Sequence, residues 1–155
     1  MTFPLPGPMR RALDEARLAA QEGEVPVGAV LTLNGEVVAT GRNRMRGGVD
    51  PTAHAEMVAI REGAARLGAS RLDQCDLWVT LEPCAMCAGA ISHARIARLY
   101  YGAADPKGGA VEHGPRFFAQ PTCHHRPEVY GAIGEAEAAR MLQLFFLSRR
   151  ATKDS

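Results

Sequence analysis

A three-layer α/β domain with a mixed five-stranded sheet is what this 155-residue sequence predicts. Three observations predict it. An apolar, β-branched run ends in Asn34-Gly35 and resumes at Glu36, the signature of a tight antiparallel hairpin. Further on, helical and strand periodicities alternate, as they do where a helix crosses over between parallel strands. Two chemistry-bearing segments, Thr52-Ala53-His54-Ala55-Glu56 and Glu82-Pro83-Cys84-Ala85-Met86-Cys87, begin helices beside strand ends, the place ligand sites occupy in open α/β sheets.

Each element has its own warrant. Met9, Ala12, Leu13, Ala16, Ala19 and Ala20 recur at three-and-four spacing, which makes Pro8 to Gln21 an amphipathic helix stopped by Gly23. Val25 to Leu33 and Glu36 to Thr40 are the two hairpin strands. Gly41 to Asp50 carries arginines and glycines without an apolar period and reads as a loop. Asp50-Pro51 or Thr52 is placed to cap a helix that turns Ala55, Val58, Ala59 and Leu67 toward the core and ends at Gly68. Leu77 to Leu81 is a buried strand. Pro83 suits a first helical position, so a short helix runs from there to Ser92, followed by a strand from Ile96 to Gly102, parallel to its predecessor if the helix is a crossover. Ala103 to Pro127 has no period. Glu128 to Ile133 is a last short strand, and Ala138, Met141, Leu142, Phe145 and Phe146 build an amphipathic helix over Glu135 to Arg149.

Length and composition suit one domain spanning 1–155, because 46% of residues are apolar and a core needs no covalent staples. No apolar stretch approaches the ~20 residues of a membrane span, and Met1 to Pro8 has no signal-length apolar run, so the cytoplasm is the expected compartment and no membrane partner is expected. A formal net charge of +1 excludes a broad electrostatic grip on phosphate. Contacts to RNA would come from local clusters: Arg42, Arg44 and Arg46; His124, His125 and Arg126; and Arg149, Arg150 and Lys153.

The chemistry lies in the two segments named first. Cysteines three apart share one helix face, and near a helix N-terminus the dipole favours the thiolate, the form that binds metal. With His54 they make a three-ligand zinc site, one Zn2+ per subunit. Three protein ligands leave a fourth tetrahedral position for water, the arrangement of a catalytic rather than a closed structural zinc. Glu56, two residues from His54 and off its helical face, is placed to carry protons beside that water. The combination of HxE and PCxxC is the pattern of zinc nucleobase deaminases. Two other readings remain open to the residues themselves. CxxC also serves redox chemistry, and Cys123, His124 or His125 would close a structural zinc as fourth ligand.

Beyond the individual motifs, the segments Glu24 to Val30, Asp50 to Glu56, Val79 to Ile91 and Tyr101 to Gly109, together with the Phe145-Phe146…Arg149-Arg150 ending, closely resemble those of the bacterial tRNA-specific adenosine deaminases of the cytidine deaminase-like superfamily. The resemblance runs from about Met9 to Arg150. It implies hydrolytic deamination of adenosine to inosine at the wobble position of an arginine tRNA anticodon, within an anticodon stem-loop bound by a homodimer. It also implies roles: His54, Cys84 and Cys87 as zinc ligands, Glu56 as proton shuttle, Asn43 at the purine edge, Val27 lining the base pocket, and the main chain of Ala55 touching the base. Asp105 and Lys107 match a loop close to the RNA, and Arg149 and Arg150 belong to the matching ending. The chain departs from the resemblance at His124-His125-Arg126, where the family has Asn-His-Arg. Within the same chemistry, the alternative substrate is a free base or nucleoside of the cytosine, guanine or cytidine type.

Overall fold

The hairpin organises the sheet. In the computed structural model, which describes residues 4–153 and side chains as far as residue 150, β1 (Gly28–Leu33) and β2 (Glu36–Arg42) pair antiparallel. Asn34 and Gly35 both take positive φ, 53° and 81°, as a type I′ turn requires. β3 (Cys75–Leu81) pairs antiparallel with β1, whereas β4 (Arg98–Ala103) and β5 (Glu128–Tyr130) add in parallel, giving the order β2-β1-β3-β4-β5. The mixed five-stranded sheet is therefore as expected.

Two helices cover each face. α1 (Gly7–Gln21) and α4 (Glu135–Lys153) lie on one side, where Met9, Leu13, Val30, Ala103 and Ala138 form an apolar layer. α2 (Ala55–Leu67) and α3 (Ala85–Ala94) cover the other, packing Ala55, Ala59, Ala88 and Ile91 on Leu31, Leu77, Val79 and Leu99. Alternation along β1 sends Ala29 and Leu31 to one layer and Val30 to the other. Side chains such as Leu77, Ile91 and Leu99 are fully buried, each worth about 2 kcal/mol of transfer free energy. Close helix packing depends on missing side chains. A Cβ at Gly28 would stand 1.9 Å from the carbonyl oxygen of Ala12 in α1, and one at Gly41 would stand 2.3 Å from that of Ala55 in α2. The second contact seats the start of α2 on the end of β2.

Several boundaries differ from expectation, for local reasons. Pro83 stays outside α3: Cys84 is the extended N-cap (φ −75°, ψ 177°), and the helix begins at Ala85. α2 is not capped by Asp50 or Thr52 but starts after an extended His54, and Asp50 instead closes the preceding turn by accepting from the Thr52 amide at 2.9 Å. Leu67 is 38% exposed at the helix end. β5 stops at Tyr130 because Ala132 and Gly134 turn with positive φ. Within the long segment after β4, Phe117–Ala119 form a turn of 3-10 helix that buries Phe118 against the α3 side. On α4, Ala138 reaches the core, but Phe146 is exposed, as are Leu144 and Leu147. The Lys153 side chain and Met1–Phe3 lie outside the described residues. Among the described residues no helix is long and apolar enough to cross a membrane.

Candidate metal centre

Two helix starts meet edge to edge. His54 at the N-cap of α2 and Cys84 at the N-cap of α3 are both extended, so their side chains leave the helix axes and face each other. Cys87, one turn into α3, joins them. Both Sγ atoms lie 3.6 Å from His54 Nδ1, and the three donor atoms fall within 4.8 Å of one another. A tetrahedral zinc with bonds of about 2.3 Å to sulfur and about 2.0 Å to nitrogen sets an S···N separation of roughly 3.6 Å. The donor set therefore fits zinc in identity and in spacing. Cys123 is elsewhere, with Sγ 3.2 Å from the carbonyl oxygen of His125, and the His125 ring sits 2.7 Å from the carbonyl oxygen of Ile96. Among the described residues no fourth protein ligand joins the cluster, and the closed structural reading fails.

Electrostatics of the cluster call for a cation. The hydrogen bond from Cys87 draws the Cys84 thiol down to about 4, with His54 assisting, and the same contact pushes Cys87 well above the usual thiol range. Without metal one sulfur is thus a thiolate that keeps its neighbour protonated, and a bound cation would take both as thiolates. His54 is held above its usual value, chiefly by its hydrogen bond with Cys84.

Glu56 lies at the second position of α2, 4% exposed, with its carboxyl against Cys87, Cys84 and His54. Burial, reinforced by the Cys84 charge, pushes that carboxyl up from 4.5 to about 7. A carboxyl raised on folding stabilises the fold below pH 4.5 relative to higher pH, and that contribution is lost as pH rises through 7. Chelated Glu56→Gln protein is thus expected to be more stable than chelated wild type at pH 8, by at most about 3 kcal/mol, with the gap closing at pH 4. Urea titrations at the two pH values check it; a gap independent of pH would refute the assignment.

The other candidates divide. Val27, Asn43 and Ala55 converge: Asn43 N–H donates to the Val27 carbonyl at 3.2 Å, and Asn43 Oδ1 accepts from the Ala55 amide at 2.8 Å. The Asn43 side chain thereby satisfies a helix-start donor that no local cap serves. A cleft of about 300 Å³ opens beside Asn43, lined by Val25, Arg46, Phe145, Phe146 and Arg149 among others. Arg149 donates to the Gly23 carbonyl and lies 4.8 Å over the Phe145 ring, while Arg150 is exposed on α4 beside Phe146 and Leu147. Asp105 accepts from the amides of Lys107 and Gly108, shaping the loop on which Lys107 is exposed. Arg42 differs from its expected surface role. It is bound to Glu22 at 2.6 Å and Glu15 at 3.0 Å, a strut between β2 and α1, which leaves Arg44 and Arg46 as the exposed members of that cluster. His124 is exposed, whereas Arg126 donates to the Phe118 and Gln120 carbonyls.

Two acidic anchors were invisible as such in the sequence. Glu24 accepts from the amides of Arg46 and Gly47 and fixes the loop behind Asn43. Glu82, with a side chain 0% exposed, holds the loop after β4. A charged residue between a buried strand and a proline was the available signal for the second.

Comparison with known proteins agrees with this geometry. Residues 7–103 match the family model described as the cytidine and deoxycytidylate deaminase zinc-binding region. The chain is 59% identical over 142 residues to a tRNA-specific adenosine deaminase of Agrobacterium fabrum, covering 92% of this chain and 93% of that one. It is 60% identical, with a TM-score of 0.86, to a structure solved in a study of A-to-I editing by tRNA deaminases at the wobble position of transfer RNA, with 87% and 98% of the two chains covered. A guanine deaminase from Bacillus subtilis is also similar, at 34% identity and a TM-score of 0.63, with 79% and 82% covered.

Proposed function

Because the chain belongs to the tRNA-specific adenosine deaminases, within the zinc-binding cytidine and deoxycytidylate deaminases, we propose that it deaminates adenosine to inosine at the wobble position of an arginine tRNA anticodon. The observation that carries the chemistry is a fully enclosed carboxyl, Glu56, against three donor atoms spaced for tetrahedral zinc. Zinc bound by His54, Cys84 and Cys87 supplies a Lewis acid that makes water a nucleophile near pH 7. Glu56 accepts one proton of the attacking water and returns it to purine N1, then takes the remaining proton from the hydroxyl added at C6 and passes it to the departing amine. Water and adenosine are consumed; inosine and ammonia leave.

Substrate selection falls to the rim. Val27, the Ala55 main chain and Asn43, whose Nδ2 also donates to the Val25 carbonyl at 3.2 Å, would meet the base, and Asp105, Lys107, Arg149 and Arg150 would meet the anticodon stem-loop. An anticodon loop presents bases already unstacked, so a nearly neutral protein can extrude one at low cost. The working unit is a homodimer, and the compartment is the cytoplasm, where tRNA is matured. The test is incubation of zinc-loaded protein with an unmodified arginine tRNA anticodon stem-loop, read by sequencing for inosine, beside free adenosine, cytidine, cytosine and guanine. Conversion confined to the wobble adenosine is expected. Turnover of guanine or cytosine alone would replace the RNA reading with the free-base one.

A further inference from the structure

We propose that Glu82 is a positioning residue for RNA recognition, fixing the loop 105–113 against the segment that carries Cys84. The inference rests on the reading of that loop as RNA-facing. Its basis is a single carboxylate that gathers five donors from one loop. Glu82 Oε1 accepts from the Asp105 amide at 3.0 Å and from His113 Nδ1 at 2.8 Å. Oε2 accepts from the amides of Val111, Glu112 and His113 at 3.1, 2.9 and 3.2 Å. The side chain is wholly enclosed, so water cannot replace any of these bonds.

The anchor sits between the two parts it joins. Its own amide donates to the Ala103 carbonyl at 2.8 Å, and its neighbour Pro83 accepts from Ala110 at 2.9 Å. Pro83 is followed by Cys84. The loop therefore has no independent position: both of its ends, at Asp105 and at 111–113, converge on one side chain, and the exposed Lys107 is carried between them. Gly109 packs where nothing larger fits. A Cβ there would lie 2.6 Å from Glu82 Cδ and Oε2, and 2.5 Å from the Asp105 carbonyl oxygen. A carboxylate supplies acceptors alone, and four amides plus a ring N–H require that. Glutamine at 82 would turn an NH2 group toward N–H donors and release part of the loop.

Kinetics of zinc-loaded Glu82→Gln and Gly109→Ala on an anticodon stem-loop test this. Both variants are expected to raise KM about tenfold while kcat stays within about twofold of wild type. Zinc should remain at one per chain. Gly109→Ala leaves the carboxylate intact and displaces the loop, so it decides the matter if Glu82→Gln does not fold; His113→Ala, which removes one donor of five, is expected to fall between. An unchanged KM with a lowered melting temperature would make Glu82 a stability element and overturn the proposal. Loss of zinc, or a fall in kcat at constant KM, would overturn it in favour of a role in the metal segment. If wild type itself converts no stem-loop, it is the proposed substrate that fails.

Discussion

Replacing Glu56 by alanine is expected to leave one zinc per chain and to lower turnover of the anticodon stem-loop by about 10⁴-fold, the upper end of what general acid/base catalysis contributes. The size of the effect discriminates. Glu56 occupies the first turn of α2, where a carboxylate favoured by the helix dipole alone is worth about 0.3 to 1 kcal/mol, under a tenfold change in any equilibrium. A carboxyl used for several proton transfers in one cycle costs far more when removed, because each transfer loses its partner. Retention of zinc follows from the donor set, which comprises His54, Cys84 and Cys87 without Glu56. Zinc analysis and single-turnover rates on the same preparation check both halves. Turnover within tenfold of wild type would return Glu56 to the role of an ordinary helix-start acid, and loss of metal would make it a ligand.

The donor cluster of His54, Cys84 and Cys87 was legible because each half of its signal is local, and Glu56 lies buried against it. Cysteines three apart, a histidine two residues from a carboxylate, and Asn-Gly between β-branched runs each fit within a few residues, and the fold obeys them. Helix starts were less so. Pro83 is a good first helical residue, yet Cys84 must be extended to aim its sulfur at His54, so the helix yields by two residues. His54 likewise takes the cap position from Asp50 and Thr52, since a ring pointing off the helix axis is what the triad needs. The remaining gaps concern partners distant in sequence. Arg42 meets Glu15 across 27 residues and Glu22 across 20, and Glu82 meets its loop 23 to 31 residues later. No periodicity encodes such pairs. Phe146 is a further departure: its spacing matches the buried face, yet the ring stays 47% exposed beside the cleft near Asn43.

Cys87→Ala is expected to abolish metal binding and activity together while the fold survives. Cys87 is 0% exposed and 3.6 Å from His54 Nδ1, one of the three donors of the cluster. Two ligands remain, too few for the tetrahedral sites zinc occupies in proteins. Zinc should fall below about 0.1 per chain, and turnover to background. The chelation response provides an independent readout. Wild type gains stability from every ligand that binds the native state alone, so stripping zinc lowers its melting temperature; the variant has no such stabilisation to lose, and its melting curve should ignore chelator. Circular dichroism should stay native, because the layers around Leu13 and Val30 and around Leu77 and Leu99 close without the triad. Cys123→Ala is the matching control. Its sulfur contacts Ser92 Oγ and the His125 carbonyl, so full zinc and full activity are expected. A Cys123 variant that lost metal would revive the four-ligand structural site, and a Cys87 variant that kept it would remove the catalytic zinc from its place between α2 and α3.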